Sequence, residues 1–131
     1  MSGDEHVYGE GKPPIPAINE PTVVFMINRS LPSDGWDDLD VYRATQCSWV
    51  LGENARYNAV IALGVSHGVI RGAFRIDGWR SAEGDRWCFD GRTAKGFLHV
   101  IGTSFAKVKA PQGASNPVRW FPNGIPARED E

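Results

Sequence analysis

The sequence predicts an α+β fold: a small curled sheet or β-barrel of about five or six short strands, with one or two helices. Three observations carry this reading. Several short runs rich in β-branched and aromatic residues are bounded by Gly, Pro, Asn or Asp, the punctuation of strands. Only the stretch 35–47 shows an apolar spacing close to helical. Gly64 and Gly72 sit inside two of the strand-like runs, where a small barrel needs bulges or bends.

Taken in order, residues 1–20 (MSGDEHVYGEGKPPIPAINE) are rich in Gly, Pro and acids without an apolar period, and predict a flexible, loosely attached arm. "TVVFMI", 22–27, lies between Pro21 and Asn28 and predicts a strand. "NRSLPSDG" is a loop, and Ser33 or Asp34 is placed to cap a following helix, with Asp37 and Asp38 in its first turn. Trp36, Leu39, Tyr42 and Cys47 would form that helix's apolar face.

The stretch 58–79, "NAVIALGVSHGVIRGAFRIDGW", predicts a hairpin turning at Ser66-His67-Gly68. Strict alternation in its second arm would place Arg71, Arg75 and Asp77 on one face, a cationic outer stripe, and Ile70, Phe74 and Ile76 on the other. "RWCFDG", 86–91, predicts another strand, 97–101 is an apolar centre, 107–109 a basic loop, and "PVRWF", 117–121, a closing strand. One domain thus spans 21–122, and 123–131 is an acidic tail.

Composition narrows the function classes. No apolar run reaches the roughly 20 residues of a membrane span, and no secretory leader is visible at the start, so the expectation is a cytoplasmic protein without a membrane partner. Cys47 and Cys88 lack metal-ligand spacing and do not make a disulfide framework, so both are expected as reduced thiols in or near the core. His6, His67 and His99 are scattered, and no metal or cofactor is implied. No nucleophile elbow, dinucleotide fingerprint or phosphate loop occurs, which argues against an enzyme. Asp37, Asp38 and Asp40 suit capping better than catalysis, and a metal-dependent reaction at Asp77, Asp85 or Asp90 is a remote alternative.

The net charge of -2 conceals acidic ends around a basic middle. Nine arginines lie in that middle, at 29, 43, 56, 71, 75, 80, 86, 92 and 119. The five tryptophans, at 36, 49, 79, 87 and 120, are interleaved with them, three in the adjacent pairs Trp79-Arg80, Arg86-Trp87 and Arg119-Trp120. Stacking platforms beside cations suit unpaired bases. Trp36 and Trp120 fit a core, whereas Trp49, Trp79 and Trp87 adjoin turns and could serve either purpose.

Residues 24–90 resemble the YTH domain and its bacterial relative, the EVE domain, within the PUA-like superfamily. The resemblance rests on "VFMINRS", on the helix and tryptophan of "VYRATQCSWVLGEN", on the hairpin "NAVIALGVSHGVIRGAFRI", and on the second tryptophan in "GDRWCFDG". It implies an aromatic cage with Trp49 as first wall and Trp87, rather than Trp79, as second. It also implies that Asn28, Arg29 and Ser30 reach base and phosphate, and that the backbone of Ser48 and Val50 contacts the base edge. The family's third cage residue has no counterpart that can be placed in this chain.

The expected function is then a non-catalytic module that reads a modified base, such as N6-methyladenine, or an unpaired base in nucleic acid. Arg43, Arg71 and Arg75 would hold phosphates, and a restriction or defence protein could be a partner. The rival from another class is a protein-interaction module, for instance a phage or mobile-element factor that blocks a host enzyme, with Trp79 and Trp120 as anchors.

Overall fold

The structure is a computed structural model that describes residues 11–31, 35–110 and 117–126. Five strands, β1 (Thr22–Met26), β2 (Ile61–Ser66), β3 (Val69–Ser81), β4 (Trp87–Thr93) and β5 (Val118–Phe121), form one curled mixed sheet in the order β4-β3-β2-β1-β5. The sheet is open, with β4 and β5 at its edges, so it does not close into the barrel that was one of the two expectations. Three short helices complete the α+β fold: α1 (Asp38–Gln46), α2 (Glu53–Asn58) and a 3₁₀ segment (Lys95–Val100). α1 and α2 occupy the crossover between β1 and β2, which pair in parallel; the other neighbours are antiparallel.

β1 is buried from Thr22 to Phe25 and half-buried at Met26 because both sides of the sheet are covered. Val23, Phe25 and Ile27 face the layer of α1, alongside Ala62, Phe74 and Phe89. Val24 joins Leu63, Val65, Ile70 and Ala73 on the opposite face. That second face is covered by segments without regular structure around Ile15, Ile18, Phe105 and Ile125, and by Val100. Residues 11–20 are therefore no free arm. Ile15 and Ile18 are each 1% exposed, their N–H groups donate to the carbonyls of Ser104 and Ile125 at 3.0 and 2.9 Å, and apolar burial outweighs the Gly/Pro-rich composition. Residues 1–10 and 127–131 lie outside the described residues.

Helix α1 starts later than the sequence suggests. Ser33 and Asp34 lie outside the described residues, and the cap is Asp37, whose side chain accepts from the Asp40 N–H while Asp40 accepts from the Asp37 N–H. The buried positions are Val41, Ala44 and Thr45, an i, i+3, i+4 set of small side chains. Trp36 and Leu39, expected on the inner face, are 40% and 51% exposed. The small face is matched by glycine beneath it. A Cβ on Gly72 would stand 2.8 Å from Val41 Cγ1, and one on Gly64 would overlap the Thr45 hydroxyl. These glycines seat the helix on the sheet and also flank a register shift: Gly64 pairs with Gly72, but Val65 pairs with Ile70, leaving Arg71 as the extra residue of a bulge.

A second bulge leaves Asp77 unpaired between Ile76 and Gly78. The hairpin turn itself is as expected, with His67 and Gly68 at φ 54° and 77°, the two left-handed positions of a primed two-residue turn.

Candidate functional site

Trp49 follows the end of α1, where a disulfide, three hydrogen bonds and a stacked ring fix it. Cys47 is joined to Cys88 of β4 by a disulfide, with Cα atoms 4.5 Å apart. This corrects the expectation of two free thiols: the helix end folds back onto β4 across a sequence separation of 41, which spacing alone does not reveal. Trp49 and Trp87 then exchange backbone hydrogen bonds of 2.9 and 2.8 Å. The Trp49 indole Nε1 donates to the Thr45 carbonyl at 2.7 Å, and its ring stacks on Phe25 with centroids 4.7 Å apart and planes inclined by 17°. With 7% of its surface exposed, Trp49 plugs the core.

The sequence-derived cage is thus not formed. Trp49 and Trp87 are neighbours through their backbones, but one face of Trp49 is taken by Phe25, and the half-buried Trp87 carries the Arg56 guanidinium 3.9 Å from its ring centroid. Trp79 meets Phe89 edge-on at 5.7 Å and is half-buried. The Ser48 carbonyl accepts from Arg86 at 3.2 Å, and Val50 is 50% exposed. An indole between a helix and a sheet gains more from burial than from waiting for a ligand, and Phe25 provides the flat partner that a base was expected to be.

The arginine stripe also dissolves. The bulge at Arg71 shifts the alternation, so Arg71 lies over Trp36, 5.0 Å from its ring centroid, beside α1. Arg75 instead pairs with Ile61 of the opposite face and forms a 3.5 Å ion pair with Glu20. Arg43 is exposed in the last turn of α1. These three arginines do not form one phosphate track.

Four other sequence-selected residues do converge. Asn28, Arg29, Ser30 and Trp49 line a polar crevice of about 650 Å³, together with Met26, Pro117 and Arg119. The fold builds it where β1 ends. The Met26 N–H donates to the Pro117 carbonyl at 2.9 Å, which brings the start of β5 alongside, and the Ile27 N–H donates to Val65 at 2.8 Å. The chain then turns as the N–H groups of Ser30 and Leu31 donate back to the Ile27 carbonyl, both at 3.1 Å. Asn28 Oδ1 accepts from the His67 N–H at 2.7 Å, so this side chain anchors the loop to the hairpin turn as well as lining the crevice. Among the described residues neither Arg29 nor Arg119 has a carboxylate partner. From sequence Arg119 is only the cation beside Trp120 and not a site residue, because only the pairing of β5 with β1 places it there; the register sets it opposite Val24.

Other chemistry is sparse. Among the described residues no three His, Cys, Asp or Glu side chains are grouped to hold a metal ion. Asp77 is bonded to Arg92, and Asp90 to Arg80 at 3.2 Å, which gives two of the carboxylates considered for catalysis a structural use. No helix among the described residues is long and apolar enough to cross a membrane.

Fold and site together define a small α+β domain with a curled open sheet, a helix-side aromatic core and a cationic crevice at one end. No family model matches the chain, and neither a curated protein nor a solved structure matches it. The resemblance to YTH and EVE domains is neither supported nor opposed by these comparisons.

Proposed function

We propose that the chain is a non-catalytic module that binds an unpaired stretch of nucleic acid in the crevice at the end of β1. One observation carries the reading: two arginines from different elements, Arg29 and Arg119, face one polar cavity without a carboxylate to neutralise either among the described residues. Guanidinium groups in that state suit phosphates, which they bind through paired N–H donors. Asn28 and Ser30 add polar atoms for a sugar or base edge, while Met26 and Trp49 give an apolar patch against which one base can rest. Recognition of a methyl group is not part of the proposal, because the faces of Trp49 and Trp87 that would sense it meet Phe25 and Arg56.

The proposed partner points to a cytoplasmic setting, where reducing thiols would act on the Cys47–Cys88 bridge. Binding is therefore to be measured in both redox states.

The test is a titration of the protein with short single-stranded DNA and RNA at several salt concentrations. The expected result is binding that weakens with salt by about 0.7 logarithmic units per tenfold salt for each phosphate contacted. Replacing both Arg29 and Arg119 with alanine should lower that slope by about 1.4. A duplex bound as tightly as the single strand, or a double variant with unaltered affinity and slope, refutes the reading.

A further inference from the structure

A second concavity lies on the helix side, far in character from the crevice. α1, β3, β4 and the 3₁₀ segment enclose a groove of about 400 Å³. Its apolar lining includes Leu39, Leu98 and Ile101, with Leu39 and Leu98 each 51% exposed. Val41, Tyr42 and Phe74 line it as well. The volume falls within the usual range for small-molecule sites of roughly 300–1,000 Å³.

Among the described residues one charged group in this groove lacks a counterpart. Arg71 is displaced from the ladder by the bulge, and its guanidinium lies over the ring of Trp36. Its Nε is buried with no acceptor, and among the described residues no carboxylate is within ion-pair distance of Arg71. Arg92, which also lines the groove, is bonded to Asp77. Asp38 lines it too, beyond ion-pair distance of Arg71. A shielded N–H without an acceptor is costly, and a carboxylate is the acceptor that satisfies a guanidinium best.

From this combination we propose that the groove binds a small apolar molecule carrying a single carboxylate, its chain along Leu39, Leu98 and Ile101 and its carboxylate on Arg71. The site is separate from the crevice and does not rest on the nucleic-acid reading.

Decanoate and decanol are the probes, equal in chain length and different in charge. Calorimetry of the full chain should show decanoate binding about tenfold or more tightly than decanol, the effect of one charge-assisted hydrogen bond in a shielded site. Arg71→Met should bring decanoate down to the level of decanol, and Leu98→Asp, at an exposed position, should weaken both. Amide and Arg71 side-chain resonances followed by NMR during the decanoate titration should shift at Leu39, Arg71, Leu98 and Ile101 and not at Asn28 or Arg119. If R71M does not fold, the comparison of the two probes and the Arg71 resonance in the unmodified protein decide the matter. Equal affinities for the two probes, or shifts confined to other residues, overturn the proposal. Alanine at Arg29 and Arg119 should leave decanoate binding unaltered, so failure of one site does not carry over to the other.

Discussion

The Trp49 joint and the crevice at the end of β1 share a tryptophan, yet their chemistry is opposite. At the joint the indole N–H, both backbone groups of Trp49, and the ring face on Phe25 have partners, and a disulfide closes the turn. In the crevice two guanidinium groups stand without carboxylates among the described residues, beside exposed Asn28 and Ser30. The contrast teaches where stability and binding are separated in so small a domain. Satisfied aromatic packing holds the helix to the sheet, whereas uncompensated charge is left where a ligand can supply the counterpart. Substitutions can therefore break each region without the other.

The largest effect is expected at the joint. Trp49→Ala removes the partner of Phe25 and leaves the Thr45 carbonyl without its donor, so chemical denaturation should show a loss of about 3–5 kcal/mol. Trp49→Phe keeps most of the stacking and loses the hydrogen bond, and should lose about 1–1.5 kcal/mol. Equal, small losses for both variants would mean that the indole is not a core plug, and would reopen the reading of Trp49 as a ligand wall.

Next comes the Cys47–Cys88 bridge, which closes a loop with a sequence separation of 41. Replacing both cysteines with serine should lower stability by about 2–4 kcal/mol, as expected for loops of this order. Reduction of the unmodified protein should reproduce most of that loss. A double variant as stable as the parent, with unchanged Trp fluorescence, would show that the backbone pairing of Trp49 with Trp87 secures the joint unaided.

What was legible in the sequence followed from local pattern. The uninterrupted apolar run of β1 and the His67-Gly68 turn announced their structure, because β-branched residues and left-handed turn positions depend on few neighbours. The Asn28-Arg29-Ser30 loop was named only through the resemblance to YTH domains; the structure places it where a buried strand ends, lining the crevice. What failed were inferences that needed a register or a distant partner. Alternation suggested that Arg71 and Arg75 share a face, and one extra residue at a bulge separates them. Gly/Pro-rich composition hid Ile15 and Ile18, whose burial depends on Ser104 and Ile125 far along the chain. For Trp49 the sequence left core plug and ligand wall both open, and nothing local shows that Phe25 lies beneath the ring. Arg119 reaches the crevice only because the last strand pairs with the first.

The smallest effect on stability is expected from the crevice arginines, and it completes the contrast. Arg29 is exposed and Arg119 half-exposed, and neither has a carboxylate partner among the described residues, so removing them breaks no ion pair there. The double alanine variant should unfold within about 0.5 kcal/mol of the parent. A slight gain in stability at low salt is also compatible, because two like charges lining one cavity repel each other. The same variant should show the clearest loss of single-strand binding. A loss of stability above 1 kcal/mol would reveal a structural use for these arginines and weaken the separation of roles between the two regions. Unchanged stability with diminished, less salt-dependent binding would place the anion-binding function on the two arginines at the end of β1.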